Sequence, residues 1–178
     1  MRKKLHYFIN MRNLIRIMKL LVTGGLGFIG SNFISRVFEN HEDWSVVNVD
    51  AELYGSNHQS LEKFENNSKY SFVKGNITDQ ELMEKLVSES DVVVNFAAES
   101  HVDRSISNAR PFIDSNILGV FTLLETIKKM KKKMIHISTD EVYGSFDSDS
   151  AKEETRLNPS SPYAASKASA ELLIQSYI

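Results

Sequence analysis

A short apolar segment, Lys19 to Thr23, leads directly into a turn with glycines at 24, 27 and 30. The apolar residues of 28–38 then recur at the spacing of an amphipathic helix. Glycine suits this turn because a tight passage from strand to helix needs unusual backbone angles. A missing Cβ also lets backbone N–H groups approach an anion. This order of strand, turn and helix predicts an α/β protein with a doubly wound parallel sheet.

The same turn is typical of dinucleotide-binding proteins, in which a pyrophosphate lies at the helix N-terminus. A second predicted strand, 44–49, ends in Asp50, which lies 20 residues after Gly30. A carboxylate there would bind ribose hydroxyls and repel a 2′-phosphate, which favours NAD over NADP. An ordinary tight turn is the alternative for the glycines alone. The cofactor contacts predicted here are Gly24, Gly27, Phe28, Ile29, Gly30 and Asp50.

Three further apolar segments predict strands at 70–74, 91–96 and 134–137, the last of them buried. Helices are predicted at about 79–88 and 110–129, so strands and helices alternate. The five strands predict a Rossmann-like sheet in the order 3-2-1-4-5. Residues just after the third and fourth strands are further predicted cofactor contacts, namely Asn76, Ile77, Ala97 and Ala98.

Composition narrows the function classes. The chain has 178 residues, 42% hydrophobic and 25% charged, which suits one globular domain, predicted over 18–178. Residues 1–38 carry seven Lys/Arg and no acid, so the remainder holds 14 Lys/Arg against 23 Asp/Glu. An acidic body argues against a nucleic-acid partner. No apolar run approaches the ~20 residues of a membrane span, so no membrane partner and a cytoplasmic location are expected. No metal site is predicted.

Residues 1–17 form a basic segment whose apolar residues are interrupted by polar ones. It therefore lacks the continuous apolar region of a signal peptide. We interpret it as a disordered or short amphipathic extension, and a misplaced start codon would explain it equally well.

Two groups of residues in the second half could carry chemistry. Thr139, Asp140 and Glu141 place a hydroxyl and two carboxylates just after the fifth strand, where open α/β sheets bind ligands. A solvated acidic turn is the alternative. Tyr163 and Lys167 share one face of a predicted helix, so the ammonium is expected to lower the pKa of the phenol and to hold a ribose hydroxyl.

Together these motifs resemble the extended short-chain dehydrogenase/reductases, and within them the nucleotide-sugar 4,6-dehydratases. The matching segments are TGGLGFIGSN (23–32), FAAESHVDRS (96–105), STDEVYG (138–144) and SPYAASK (161–167), and the resemblance covers about 18–178. Thr-Asp-Glu before Tyr-Gly is the specific part, because related epimerases usually carry Ser-Ser-Ser or similar there. The resemblance implies NAD as the cofactor and a nucleotide-sugar as the substrate, with dTDP-glucose favoured and UDP-glucose still possible.

The resemblance also implies roles for residues at matching positions. Tyr163 would remove the proton of the sugar 4-hydroxyl as hydride leaves C4, with Lys167 tuning it and Thr139 hydrogen-bonding that oxygen. Glu141 would abstract the C5 proton, and Asp140 would protonate the departing C6 hydroxyl. Since adjacent strand residues point to opposite faces, the backbone must turn at Asp140 for both carboxylates to reach one sugar. The further predicted substrate contacts are Ser100 and His101.

The chain departs from the family pattern in part. Asn76 stands where Asp is usual, and 50–57 matches only partly. The chain ends inside the helix that bears Tyr163 and Lys167, before the later strands and the substrate domain of the family. The fifth strand is therefore expected to have a bare apolar edge, and the chain alone is expected to be inactive.

Two alternatives to a dehydratase stay open. A 4-epimerase or a related decarboxylase would need only Tyr163, Lys167 and the hydroxyl. A non-catalytic NAD-binding module would need neither Asp140 nor Glu141. The full-length form is expected to be a homodimer, because 164–170 is rich in Ala and Ser and could pack closely against a second subunit. A monomer with an internal helix neighbour is the alternative.

Overall fold

The computed structural model describes residues 18–145, 150–152 and 154–178. The predicted N-terminal extension 1–17, and 146–149 and 153 of the acidic loop, lie outside the described residues. Five parallel strands form one sheet in the order β3-β2-β1-β4-β5, which confirms the predicted topology. The strands are β1 (Lys19–Thr23), β2 (Ser45–Asp50), β3 (Tyr70–Lys74), β4 (Val92–Asn95) and β5 (Lys133–His136).

Helices and short helical turns connect the strands. The α-helices are α1 (Phe28–Asn40), α2 (Gln80–Ser88), α3 (Val102–Ser107), α4 (Arg110–Phe112), α5 (Val120–Met130) and α6 (Pro162–Tyr177). The 3-10 turns are His58–Phe64 and Asp140–Tyr143. Within this described part, no helix is both long and apolar enough to span a membrane.

Two apolar layers cover the sheet because successive strand residues point to opposite faces. Leu20 and Val22 pack with Ile34 of α1 on one face. Leu21 and Val93 pack with residues of α2 and α5 on the other. The strands β1, β2 and β4 therefore have buried side chains on both faces, as expected for the centre of a parallel sheet. This two-sided burial holds the strand ends in place.

The fifth strand forms the edge of the sheet, as predicted, and pairs with β4. Its burial differs from the prediction. Lys133 is exposed and Ile135 keeps 55% of its surface exposed, so the prediction of a buried strand was wrong. The strand is also one residue earlier than predicted. The apolar pattern was correct for a strand, but burial depends on a neighbour at the edge.

The helix predicted at 110–129 contains an unpredicted π-helical stretch, Ile113–Gly119, between α4 and α5. Such wider turns often accompany functional sites. Inside it, Asn116 accepts a hydrogen bond from the backbone N–H of Glu99 and donates one to its C=O, both at 2.9 Å. It also donates to the Ser166 hydroxyl at 2.8 Å. Asn116 therefore joins the loop after β4 to α6.

Candidate active site

The carboxyl ends of the strands open into one cleft of about 500 Å³, hereafter the main cleft. Each residue predicted as a cofactor contact lines it: Gly24, Gly27, Phe28, Ile29, Gly30, Asp50, Asn76, Ile77, Ala97, Ala98, Tyr163 and Lys167. Ser100 and His101, predicted as substrate contacts, line it as well. Segments far apart in sequence therefore meet where the topology predicts a ligand site.

The glycine turn is closely packed against its surroundings. Gly24 has φ +70°, and a Cβ there would lie 2.5 Å from the backbone nitrogen of Ala97. A Cβ on Gly30 would lie 2.4 Å from the carbonyl oxygen of Gly24. The next helix, α1, has Gly27 as its N-cap and no side-chain cap. Its first-turn N–H groups and the positive end of its dipole thus remain available to an anion such as a pyrophosphate.

Asp50 is 7% exposed and is held at three points. Its carboxylate accepts hydrogen bonds from the backbone N–H of Leu26 at 3.0 Å and of Glu52 at 2.8 Å. The Ser56 hydroxyl donates a third at 2.8 Å. These bonds tie the glycine turn to the loop after β2. A carboxylate fixed beside a glycine turn fits the ribose end of a dinucleotide.

Tyr163 is buried, with 9% of its surface exposed. Burial raises the pKa of its phenol, and the carboxylates of Glu141 and Asp140 raise it further. A hydrogen bond with Thr139 acts in the opposite direction. The prediction that Lys167 lowers this pKa was wrong, because the effects that dominate are desolvation and nearby negative charge.

Lys167 is 4% exposed, and its ammonium contacts groups other than the Tyr163 phenol. Its Nζ donates to the carbonyl oxygen of Ile137 at 2.5 Å and lies 3.4 Å from Nε2 of His136. Burial lowers the pKa of Lys167 to about 8, and the charge of Glu171 opposes that shift. The sequence predicted Lys167 as a site residue but gave no sign of these partners.

Thr139 is the N-cap of the 3-10 turn that begins at Asp140, and its hydroxyl accepts from the N–H of Glu141 at 3.3 Å. The predicted turn at Asp140 is therefore confirmed. Both carboxylates are exposed and lie just outside the lining of the main cleft, whereas their neighbour Ser138 lines it. The 3-10 turn that bears them contacts α6, which carries Tyr163, and both carboxylates raise the pKa of that phenol.

A family model described as GDP-mannose 4,6 dehydratase matches residues 21–178. The chain belongs to this family. A curated dTDP-glucose 4,6-dehydratase from Mycobacterium tuberculosis is 46% identical over 164 residues, covering 90% of this chain and 49% of that protein. The chain thus spans about half the length of the curated relatives it matches.

Solved structures agree with the family assignment. A dTDP-glucose 4,6-dehydratase from Streptomyces venezuelae, crystallised with NAD, matches with a TM-score of 0.86 and 42% identity over 90% of this chain and 51% of that one. A UDP-glucose 4-epimerase from Thermotoga maritima matches with a TM-score of 0.79 and 32% identity over the same shares. The predicted Rossmann-like fold is confirmed.

Several residues of the family's cleft were missed by sequence reasoning. Tyr54 lines the main cleft, and the Arg104 guanidinium lies 4.3 Å from its ring centroid, so this contact links the loop after β2 to α3. His101 lies edge-on to the same ring, with centroids 6.2 Å apart. An aromatic residue shortly after a strand end was the available signal. In the described residues, no group of three or more His, Asp or Glu is arranged to hold a metal ion.

Proposed function

We propose that this chain is the NAD-binding and catalytic N-terminal part of a dTDP-glucose 4,6-dehydratase, which removes water from dTDP-glucose to give dTDP-4-keto-6-deoxyglucose. One observation carries the proposal within the family. The 3-10 turn that bears Thr139, Asp140 and Glu141 packs against α6, the helix of Tyr163. A hydrogen bond with Thr139 lowers the Tyr163 pKa, whereas the two carboxylates raise it. A base, a hydroxyl and two acids at one end of a cleft suit an elimination next to a carbonyl.

The residues of the main cleft fit NAD. The uncapped start of α1 offers N–H groups to the pyrophosphate, and Asp50 offers a carboxylate to the adenosine ribose. Asn76 and Ile77 would lie beside the adenine, while Ala97 and Ala98 leave room for a flat ring. Lys167 would hold the second ribose. When bound, NAD supplies a reversible hydride acceptor, so the overall loss of water needs no external oxidant.

Tyr163 would take the proton of the sugar 4-hydroxyl, and Thr139 would hydrogen-bond the same oxygen. Burial raises the pKa of Tyr163, and the charges of Glu141 and Asp140 raise it further, so this base is hard to ionise. Loss of one of those negative charges would ease the ionisation of the phenol. The elimination itself needs one protonated carboxyl, so the two requirements agree.

Glu141 would then remove the C5 proton, which a 4-ketone makes acidic, and Asp140 would protonate the departing C6 hydroxyl. Both residues stand in the first turn of the same 3-10 helix, so neither is held on the far face of a straight strand. Ser100 and His101, on the lining of the main cleft, would contact the sugar. Proton removal and proton donation are thereby divided between adjacent residues. The elimination leaves a C5=C6 double bond, and the product would form when the hydride taken from C4 returns to C6 and Glu141 returns a solvent-exchanged proton to C5.

Incubating the full-length form of this protein with NAD and dTDP-glucose in heavy water tests this proposal. Formation of a 4-keto-6-deoxy sugar with deuterium at C5 would support it. Glu141→Gln should stop deuterium entry at C5 and leave NAD binding intact, whereas Glu81→Gln, an exposed acid on α2, should change neither. Wild-type exchange in Glu141→Gln would exclude the role given to Glu141.

A 4-epimerase is the second candidate, and the similarity to the Thermotoga maritima UDP-glucose 4-epimerase favours it. Under this reading the acids are dispensable, so Asp140→Asn would keep most of the activity and the product would be the 4-epimer. Under the dehydratase reading the same change would be severely damaging. Assays with UDP-glucose in parallel show which nucleotide the sugar substrate carries.

A non-catalytic NAD-binding module is a third reading. It predicts NAD binding without turnover of either sugar. We further propose that the full-length form is a cytoplasmic homodimer. The small residues of 164–170 mostly pack inside the chain, so the support for a dimer comes instead from the exposed apolar Leu118, Phe121 and Leu172.

A further inference from the structure

Three polar side chains form a row across the carboxyl ends of β1, β4 and β5, hereafter the polar rung. Thr23 pairs in register with Asn95, and Asn95 pairs with His136. The Thr23 hydroxyl donates to Oδ1 of Asn95, whose Nδ2 lies 2.9 Å from Nδ1 of His136. Thr23 and Asn95 are fully buried. The His136 ring is thus held by a chain of hydrogen bonds that begins two strands away.

The polar rung ends on Lys167. Nε2 of His136 lies 3.4 Å from Nζ of Lys167, and the Ile137 carbonyl is the other hydrogen-bond partner recorded for that Nζ. Among the described residues, Lys167 has no carboxylate within ion-pair distance. A side chain that is 4% exposed therefore carries its charge between two neutral groups. Such a charge depends strongly on the hydrogen bonds that it makes.

A neutral imidazole can partner Lys167 in either protonation state. If the Asn95 amide is rotated by half a turn, Nδ1–H of His136 donates to it and Nε2 accepts from the ammonium. In the recorded orientation, with Oδ1 of Asn95 toward Thr23, Nδ1 of His136 accepts from the Asn95 amide, and Nε2–H points to Lys167, which suits a neutral amine. A carbonyl such as that of Ile137 can only accept. The histidine can therefore donate a hydrogen bond to Lys167 as well as accept one, whereas a backbone carbonyl only accepts.

The charges around the pair keep the imidazole neutral. Burial and the Lys167 charge lower the pKa of His136 to about 4, so it carries no charge near neutral pH. Glu171, one turn along α6, bonds to the Ser138 hydroxyl and favours the charged form of Lys167. The Asp140 and Glu141 carboxylates raise the pKa of Tyr163. No carboxylate is recorded in hydrogen-bond contact with His136 in the described chain.

We propose that His136 is a positioning residue that holds the Lys167 amine in the main cleft as a neutral partner able both to accept and to donate a hydrogen bond. It acts through Lys167 and does not touch the sugar. The importance of this for catalysis rests on the proposed function, in which Lys167 supports Tyr163 and a ribose hydroxyl. The alternative is that His136 merely fills space beneath α6.

The titration of Lys167 separates these two roles. The 178-residue chain, made with lysine labelled with ¹³C at Cε, is titrated by NMR, and Lys167→Met assigns the signal. Wild type should show a midpoint of about 8. His136→Phe keeps the ring volume but removes the hydrogen bond to the ammonium, so the midpoint should fall by about one pH unit. His136→Gln, whose amide can also accept and donate, should restore it to within about half a unit.

Two further variants serve as controls for the Lys167 titration. Ile135→Thr changes the neighbouring, outward-facing position of β5 and should leave the Lys167 midpoint unchanged. If His136→Phe does not fold, His136→Met provides the same comparison with a more flexible apolar side chain. An unchanged midpoint in the folded apolar variant, or a Gln variant that behaves like the Phe variant, would overturn the proposal.

NAD affinity, measured by calorimetry on the same proteins, separates this inference from the proposed function. We expect a several-fold loss in His136→Phe and near wild-type binding in His136→Gln. If the chain fails to bind NAD and the Lys167 midpoint still follows the pattern above, the proposed function is wrong and the pairing of His136 with Lys167 stands. If NAD binds and the midpoint is the same with and without His136, the pairing is wrong and the NAD-binding part of the proposed function stands.

Discussion

Gly24 and Gly55 both have positive φ, +70° and +88°, but their surroundings differ completely. A Cβ on Gly24 would lie 2.5 Å from the backbone nitrogen of Ala97, and one on Gly55 would meet nothing within 4 Å. Both alanine variants suffer left-handed strain, of about 1 kcal/mol. Only Gly24→Ala must also push two backbone segments apart, so it should cost about 3 kcal/mol in total.

Urea unfolding of the two variants measures this difference, and NAD titration adds a functional check. Gly24→Ala should bind NAD at least tenfold more weakly, because the displaced turn carries the start of α1. Gly55→Ala, on the same rim of the main cleft, is the matched control for strain alone. Equal losses of stability in the two variants would contradict the close packing of Gly24 against Ala97.

The depressed pKa of His136 makes stability depend on pH. The folded protein holds this pKa at about 4, whereas the unfolded chain has the ordinary value of 6.5. Between those values the unfolded chain binds a proton that the folded protein does not. The free energy of unfolding should therefore fall as the pH is lowered through this window, by at most about 3 kcal/mol.

His136→Gln removes this titration, so its stability should fall less between about pH 7 and about pH 4 than that of wild type. The difference between the two unfolding curves isolates His136 from the many exposed acids. His58→Gln is the control, because that ring is 53% exposed and contacts Glu52 at the surface. Parallel pH profiles for wild type and His136→Gln would show that His136 is not buried as the structure places it.

At the scale of secondary-structure elements, the hydrogen bonds of Asn116 are the clearest example of contacts between segments distant in sequence. It satisfies both backbone groups of Glu99 and bonds to Ser166, from within the π-helical stretch. Asn116→Leu keeps the volume but leaves buried polar groups unpaired, which should cost about 3 kcal/mol. Asn40→Leu removes an exposed asparagine with one local hydrogen bond and should cost less than about 0.5 kcal/mol.

Hydrogen exchange locates the effect of this change. The Glu99 N–H should exchange much faster in Asn116→Leu, while amides of β1 and β2 should lose protection only by the change in global stability. Unchanged protection of Glu99 would mean that its amide is held by another group. That outcome would also weaken the link between α6 and the loop after β4.

The sequence was informative where the information is local and weaker where it is not. The positions of β1 and β3, the Gly24–Gly30 turn and the Asp50 strand end follow from short-range periodicity and turn chemistry, and the structure confirms them. Asn116, inside the π-helical stretch, bonds to Glu99, which lies 17 residues earlier in the sequence. The partner of Lys167 lies 31 residues away on β5. Spacing alone could not reveal either contact.

The prediction that β5 is buried was wrong for a related reason. An apolar alternation shows that a segment suits a sheet, but whether its side chains are covered depends on what packs beside the strand. Ile135 belongs to such a pattern and is still 55% exposed at the sheet edge. The Tyr163 pKa is similar, because the sequence placed an ammonium nearby but did not reveal the burial and the carboxylates that raise it.

At the scale of the whole molecule, two exposed apolar surfaces compete to explain any self-association. One is on the packed helices, where Phe121 of α5 is 45% exposed and Leu172 of α6 is 57% exposed. The other is the edge strand, where Ile135 is exposed and no described strand pairs with the outer side of β5. Helix faces give closed dimers, whereas edge strands give open-ended pairing and aggregation.

A glutamate substitution on each surface shows which of the two surfaces mediates self-association. Phe121→Glu and Leu172→Glu should each convert a dimer to a monomer by light scattering, since an unpaired carboxylate at an apolar interface is strongly unfavourable. Ile135→Glu should leave the dimer intact and slow the growth of larger species. If Ile135→Glu alone yields monomers while both helix variants stay dimeric, self-association runs through β5, and the proposed helix-mediated homodimer is wrong.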